Sequence, residues 1–270
     1  MSPTSVPQRD HHRRDVGAVP ILAAIRALRR KSFLLRHKIV NVINTKTWGL
    51  SHRATAAYRA ATRRRQKVVV VTGSVGKTTT ARATMAVLGL GTPSWVHAGD
   101  NCFACVGRNL ARQGLGVPFA TVEVGIGGPG QMARYASSLR PDIVVMTAIA
   151  SDHVGRFADA SGLWEEKAVI VRSLPADGVA VLNGDDPAVM RMAAITDARI
   201  VTFGLSEGCD VSARDVRVRA SETRFRLVAE GLDAVVHARV VGRAAVRSLV
   251  AAAAVGRIAG VDSATIVSRL

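Results

Sequence analysis

Short apolar runs alternate with helical patterns through most of the chain from residue 67 onward. Five runs are rich in β-branched residues and have the length of strands: Val68–Thr72, Ala120–Val124, Ile143–Thr147, Val179–Leu182 and Ile200–Phe203. Helical stretches such as Thr79–Leu88 and Leu163–Ser173 lie between them. Apolar strands that alternate with helices are typical of a parallel sheet covered on both faces. We therefore predict an α/β fold with a mostly parallel sheet.

Residues 209–241 follow a different pattern, in which charged and apolar positions alternate. Val216-Arg217-Val218-Arg219 and Phe225-Arg226-Leu227 both show this period of two. Such alternation is typical of antiparallel strands with one exposed face. An alanine-rich stretch, Ala244–Ala259, follows and predicts a long helix. The prediction therefore adds a small antiparallel β section to the parallel sheet.

The first 66 residues form a basic segment. Residues 1–67 hold 16 lysines and arginines and two aspartates, so most of the net charge of +17 lies here. Residues 1–19 are polar, which predicts disorder. Residues 20–43 place apolar side chains near helical spacing with arginines and lysines between them, which predicts a basic amphipathic helix. We therefore divide the chain into a basic N-terminal segment, 1–66, and a sheet domain, 67–270.

Several partners suit such a basic segment. It can pack on the adjacent domain, lie on an anionic membrane surface or dock an acidic partner. Nucleic acid is not expected, because the segment lacks interleaved aromatic residues and a recognisable binding module. The sequence contains no apolar run of the ~20 residues that a spanning helix needs and no secretory signal pattern. Three cysteines suit a reducing compartment. We expect a cytoplasmic protein, with peripheral contact to the inner face of the membrane left open.

The strongest motif follows the first strand. It consists of Gly73-Ser74-Val75-Gly76-Lys77-Thr78, placed between a strand and the start of a helix. Glycines let backbone N–H groups close around phosphate oxygens, and the helix N-terminus adds a favourable dipole. We expect Lys77 to contact the β- and γ-phosphates of a nucleotide and Thr78 to bind Mg²⁺. The other nucleotide contacts are expected from the loop and the residue after it: Gly73, Ser74, Val75, Gly76 and Thr79.

The loop and the motifs that follow it resemble, in order, the central ATP-binding domain of the Mur ligases. The later motifs are Ala98-Gly99-Asp100-Asn101, Val122-Glu123-Val124-Gly125, Arg140-Pro141-Asp142, Thr147–His153 and Leu182–Asp186. The resemblance covers about residues 67–270. Within this family, the sequence is similar above all to the branch that adds D-alanyl-D-alanine in peptidoglycan synthesis.

The resemblance implies roles for residues outside the loop. Glu123 takes the position of a Mg²⁺ ligand, and His153 falls on a second metal-linked position. Lys167 matches the lysine that becomes carbamoylated and helps to hold a second Mg²⁺. Asn183 and Asp185 lie on the nucleotide side. The implied cofactors are ATP and Mg²⁺, and the implied catalytic residues are Lys77, Glu123, His153 and Lys167.

The resemblance also implies a reaction, with two departures. Mur ligases join a carboxylate to an amine through an acyl phosphate made from ATP. Here Ala244-Ala245-Val246-Arg247-Ser248 replaces the family's H-N-x-x-N, and the family's N- and C-terminal domains are not found in these 270 residues. The first hypothesis is an ATP-dependent carboxylate–amine ligase of Mur type whose closing domain belongs to a separate chain or a longer form. The second is a nucleotide-binding module without ligase activity, or a decayed ligase, that docks through its basic N-terminal segment.

Overall fold

Eight strands form a single sheet in the part of the chain that the structure describes. The computed structural model describes residues 49–91, 103–149 and 160–270. The strands are β1 Lys67–Thr72, β2 Phe119–Glu123, β3 Ile143–Met146, β4 Val179–Asn183, β5 Arg199–Gly204, β6 Val211–Val218, β7 Thr223–Ala229 and β8 Leu232–Ala238. Their order across the sheet is β2-β1-β3-β4-β5-β6-β7-β8. All pairs from β2 to β6 are parallel, and β7 and β8 extend the sheet in antiparallel fashion.

Helices cover both faces of the parallel part. They are α1 (residues 49–62), α2 Lys77–Val87, α3 Phe103–Arg112, α4 Gln131–Leu139, α5 Ala160–Arg172, α6 Pro187–Met190, α7 Arg243–Ile258 and α8 Ser263–Arg269. A 3-10 turn, Arg191–Ile195, follows α6. Because parallel strands all end at the same edge, the loops after β1, β2, β3 and β4 meet there.

The sheet separates two hydrophobic cores. Within β1, Val69 and Val71 belong to one core, while Val68 and Val70 belong to the other. This split follows from the period of two in a strand, and burial of both faces explains why the run is continuously apolar. One core contains α2, α7 and α8, and the other contains α3 to α6.

Helix α7 approaches the sheet and α2 closely because its buried side chains are small. The four alanines at 251–254 are fully buried. A Cβ on Gly256 would collide with Val87 of α2, so a glycine is needed at this crossing. The start of α7 lies beside the loop that follows β1, where a Cβ on Gly76 would come within 3.3 Å of the Ser248 hydroxyl oxygen.

A buried arginine attaches α1 to the opposite, amino-end edge of the sheet. The Arg59 side chain is fully buried and forms an ion pair with Asp142. It also donates from Nε to the Leu139 carbonyl at 2.8 Å and from Nη1 to the Gln66 carbonyl at 2.7 Å. Asp142 in turn accepts a hydrogen bond of 2.8 Å from the Val68 amide. The side chain thus fastens α1 to β1 and β3.

The fold prediction is confirmed. The mostly parallel sheet, the helices on both faces and the antiparallel section at 209–241 are all present. The predicted basic helix at 20–43 lies outside the described residues, and the division of the chain at residue 66 stays a prediction. None of the helices within the described ranges has the length and apolar character needed to cross a membrane.

Candidate functional site

The loop after β1 has a backbone shape that glycine makes possible. Gly73 has φ +142° and lies against Thr147, where a Cβ would collide with the threonine hydroxyl. Gly76, with φ +86°, is the N-cap of α2 and has no side-chain cap among the described residues. The Ser74 amide donates to the Ala148 carbonyl at 2.7 Å, which joins the loop to the end of β3. The first N–H groups of α2 therefore remain available for an anion.

Two charged or polar residues at the start of α2 face the loop and the end of β2. The Lys77 amine donates to the Ser74 carbonyl at 3.0 Å, inside the loop. Burial lowers the pKa of Lys77, and the nearby charge of Glu123 partly offsets this effect. The Thr78 hydroxyl donates to the Glu123 carboxylate at 2.7 Å. Two residues predicted as Mg²⁺ ligands are therefore direct neighbours although they lie 45 positions apart.

Lys167 reaches the same loop from the other face of the sheet. Its residue is 3% exposed, and its amine donates to the Gly73 carbonyl at 2.9 Å. Burial, and then repulsion by Lys77, lower the pKa of Lys167 to about 8. Since a buried cation is costly without a counter-charge, this amine loses its proton at a lower pH than a surface lysine does.

Asn183 and Asp185 lie beside this cluster and shape the neighbouring loops. Asn183, at the end of β4, donates to the Thr147 carbonyl at 2.6 Å and accepts from the Asp185 amide at 3.1 Å. The Asp185 carboxylate accepts from the Ser206 amide at 2.9 Å and from Nε of Arg247 at 2.8 Å. Desolvation alone would raise the pKa of Asp185, but hydrogen bonds from Arg247 and Ser206 bring it below its usual value.

A cavity of about 180 Å³ opens between the phosphate loop and the start of α7. Its walls include loop residues, the ends of three strands and α7: Val75, Gly76, Thr80, Thr147, Ala148, Asn183, Phe203, Ala244, Arg247 and Ser248. Arg247 was missed as a site residue, because its partner Asp185 is 62 positions away and no local pattern links the two. Thr79, which is among the predicted nucleotide contacts, is exposed on the first turn of α2.

The structure brings together most of the predicted site. Lys77, Thr78, Glu123 and Lys167 converge on the loop from three elements. His153 lies outside the described residues, so its role stays a prediction. The cluster can hold a polyphosphate on backbone N–H groups and amines, and the oxygens of Thr78 and Glu123 are of the kind that Mg²⁺ prefers.

Comparison with known proteins gives the same picture. The family model of the Mur ligase middle domain matches residues 71–256. The UDP-N-acetylmuramate–L-alanine ligase of Xanthomonas campestris pv. campestris (strain B100) is 33% identical over 223 residues, which are 80% of this chain and 44% of that protein. The UDP-N-acetylmuramoyl-tripeptide–D-alanyl-D-alanine ligase of Synechocystis sp. is 33% identical over 146 residues, 53% of this chain and 32% of that protein.

A solved structure shows the same fold. The MurF ligase of Thermotoga maritima, determined in complex with ADP, superposes with a TM-score of 0.67 at 21% identity, over 82% of this chain and 52% of that one. The chain spans less than half the length of the curated relatives described above. The D-alanyl-D-alanine branch predicted from the motifs is among these relatives. Because the model of the Mur ligase middle domain matches residues 71–256, this chain belongs to the Mur ligase family.

Proposed function

We propose that this chain is the ATP-binding part of an ATP-dependent carboxylate–amine ligase. The observation that carries the proposal is the meeting of Lys77, Thr78, Glu123 and Lys167 at one phosphate loop. A module that only binds nucleotide needs the loop and its lysine. It has little use for a buried second lysine, Lys167, at the same place.

In the proposed reaction the substrate carboxylate attacks the γ-phosphate of ATP, which gives an acyl phosphate and ADP. The amine then displaces phosphate and forms the amide. Both the carboxylate and the triphosphate are anionic, so their approach must be offset by positive charge. Lys77 would contact the transferred phosphate, and the N–H groups at the start of α2 would hold the others.

The oxygens of Thr78 and Glu123 would hold Mg²⁺. Their oxygens lie 2.7 Å apart, close to the spacing of adjacent ligands around one octahedral Mg²⁺, and Glu123 is buried. When bound, the ion supplies charge neutralisation for the phosphates. His153 is the further residue that the family resemblance assigns to metal binding.

Lys167 would act as a carbamate. Its neutral amine adds to CO₂, a C–N bond forms, and one proton is released. The product is an anion beside the loop that adds oxygen ligands for a second Mg²⁺. The burial of Lys167 and its pKa of about 8 support this, because a useful fraction of the amine is neutral near physiological pH. Carbamate carbon should appear by NMR after incubation with ¹³C-bicarbonate and be absent in Lys167→Arg.

The acid, the amine and the partners belong to the proposal as well. The chain spans less than half the length of the relatives described above. We propose that the amine is placed by a domain in a longer form of the chain or in a separate protein. The Xanthomonas relative, a UDP-N-acetylmuramate–L-alanine ligase, suggests UDP-N-acetylmuramate and L-alanine as the first substrates to test.

Positional isotope exchange tests the ligase proposal. ATP labelled with ¹⁸O in the β,γ-bridge is incubated with the chain, Mg²⁺ and UDP-N-acetylmuramate, without amine. Reversible acyl-phosphate formation should move label from the bridge to the non-bridging β-oxygens, and Lys77→Ala should abolish this. Tight ATP binding without any exchange, also with the acid of the D-alanyl-D-alanine branch, would contradict the ligase and favour the binding module.

A second candidate function is a nucleotide-binding module that docks to an anionic membrane surface. The observation that favours it is an exposed turn of three arginines, Arg63, Arg64 and Arg65, between α1 and β1. This turn lines an open crevice at the amino-end edge of the sheet, away from the phosphate loop. Each basic residue near an anionic bilayer contributes about 1 kcal/mol.

Vesicle sedimentation tests this docking. The chain should sediment with vesicles of phosphatidylglycerol and phosphatidylcholine and stay in solution with pure phosphatidylcholine. Replacing all three arginines of the turn by Gln should weaken sedimentation, whereas the same change at Arg214, Arg217 and Arg224 should not. Equal binding to neutral vesicles would contradict the proposal.

A further inference from the structure

The cavity beside the phosphate loop contains a guanidinium group held in a fixed position. Arg247 donates from Nε to Asp185 at 2.8 Å, and its side chain is 38% exposed against 11% for Asp185. Its Nη1 and Nη2 groups make no hydrogen bond within the described part of the chain. The side chain is thus anchored at one atom and still has donors for a ligand.

The anchor itself is rigid. The Asp185 carboxylate accepts from the Leu205 amide at 2.9 Å, from the Ser206 amide at 2.9 Å and from the Ser206 hydroxyl at 2.7 Å, in addition to Arg247. A Cβ on Gly204 would come within 2.6 Å of Asp185, so the carboxylate fills its space tightly. A group with this many fixed donors remains ionised and does not rotate away.

The cavity is placed and built for the nucleoside part of a nucleotide. Val75 and Gly76 of the phosphate loop form one wall, so a ligand with its phosphates on the loop extends into it. The side chains of Ala148 and Phe203 offer apolar surface for a base. At about 180 Å³ the cavity is below the roughly 300 Å³ of small pockets for whole ligands, which fits one part of a nucleotide.

We propose that Arg247 binds the nucleoside part of the nucleotide and that Asp185 is its positioning residue. The guanidinium has donors only, so it pairs with acceptor atoms of the base or the ribose, and its plane can stack on a base. The buried Thr80 hydroxyl oxygen, which has no hydrogen-bond partner among the described residues, lines the same cavity and offers a second contact. This inference rests on the proposed nucleotide function of the loop.

The test compares a nucleotide with the triphosphate chain that lacks the nucleoside. Calorimetry is run with Mg-ATP and with magnesium tripolyphosphate, which contacts the loop alone. The native chain should bind ATP more tightly than tripolyphosphate. Arg247→Ala should weaken ATP roughly 10-fold, the size expected for losing a hydrogen bond from a charged group. Its tripolyphosphate affinity should stay within about twofold, which also shows that the variant is folded.

Two further variants make the test specific. Asp185→Asn keeps an oxygen for the amides of Leu205 and Ser206 but places no charge beside Arg247, and it should reduce the ratio of ATP to tripolyphosphate affinity. Arg243→Ala, an exposed arginine one turn earlier on α7, should change neither ligand.

Three results would overturn the inference. One is unchanged or tighter ATP binding by Arg247→Ala, and another is an equal loss for both ligands. The third is equal binding of both ligands by the native chain. In that case the phosphate loop would still be a binding site, but the nucleoside would add nothing to the affinity. A native chain that binds neither ligand contradicts the proposed function, and this inference with it.

Discussion

Cationic side chains are buried at both edges of the parallel sheet, but they differ in how many hydrogen-bond partners the protein gives them. At the amino-end edge, Arg59 donates to three backbone carbonyls and pairs with Asp142. At the carboxyl-end edge, Lys77 and Lys167 each donate to a single loop carbonyl among the described residues. The arginine is satisfied by the protein itself, whereas the lysines retain donors for something else.

This difference separates a structural edge from a ligand-binding edge. A buried charge that is fully paired holds elements together, and its removal leaves an uncompensated partner. A buried charge that is only partly paired raises the free energy of the protein without ligand, and binding of an anion offsets this cost. Lys167, with its pKa lowered to about 8, bears that cost. We therefore expect substitutions at the first edge to change stability and those at the second to change binding.

The largest expected effect is on folding, from Arg59→Met. The change leaves Asp142 without its cation and three carbonyls without donors, and should lower the free energy of unfolding by about 3–5 kcal/mol. Urea unfolding followed by circular dichroism measures it. The exposed Arg64→Met is the control and should stay within about 0.5 kcal/mol of the native chain. An Arg59 variant as stable as this control would show that the amino-end edge is not the structural one.

The next effect is on the phosphate loop, from Gly73→Ala. The added Cβ collides with Thr147, and φ +142° is strained for alanine, so the loop must move. Mg-ATP binding should weaken by roughly 30-fold or more, equivalent to about 2 kcal/mol. Gly208→Ala is the matched control, since its Cβ meets nothing within 4 Å. Unchanged ATP affinity in the Gly73 variant would contradict the position given to the phosphates.

A smaller and more selective effect is expected from Thr78→Val. The substitution keeps the shape of the side chain but removes the hydroxyl that contacts Glu123. ATP affinity in the presence of Mg²⁺ should fall by about 10-fold, while affinity in EDTA should hardly change, because the lost group would hold the metal. Thr84→Val, further along α2, should leave the Mg²⁺ dependence intact. A loss of equal size with and without Mg²⁺ would count against the metal site.

The smallest effect is expected far from both edges, at the exposed pair of Arg226 and Asp233 in the antiparallel section. Its two hydrogen bonds of 2.5 and 2.6 Å look strong, but both side chains are half exposed and screened by solvent. Asp233→Asn should leave the urea midpoint within experimental error. A clear fall in the urea midpoint would mean that an ion pair stabilises this protein even when its side chains are half exposed.

Much of the fold was predictable because it depends on local patterns. The valines of β1 and the alternation in Phe225-Arg226-Leu227 define strand type directly, and the glycine loop identifies the nucleotide edge. Pairings between distant residues were not predictable. Arg59 pairs with Asp142, which lies 83 positions later, and Arg247 pairs with Asp185, which lies 62 positions earlier. The sheet topology alone brings each pair together. The sequence thus indicated the phosphate loop, but neither the pairing that holds α1 to the sheet nor the arginine that lies beside the loop.

Calorimetry of Mg-ATP binding to the native chain and to Lys77→Ala tests the central claim most directly. The native chain should bind one ATP in a Mg²⁺-dependent way, and the variant should bind at least about 100-fold more weakly, a loss of about 2.7 kcal/mol. The urea midpoint of the variant should not fall, since Lys77 makes a single hydrogen bond among the described residues and the cost of its burial outweighs the attraction of Glu123. Equal binding by both proteins, or no binding by the native chain, would contradict the account.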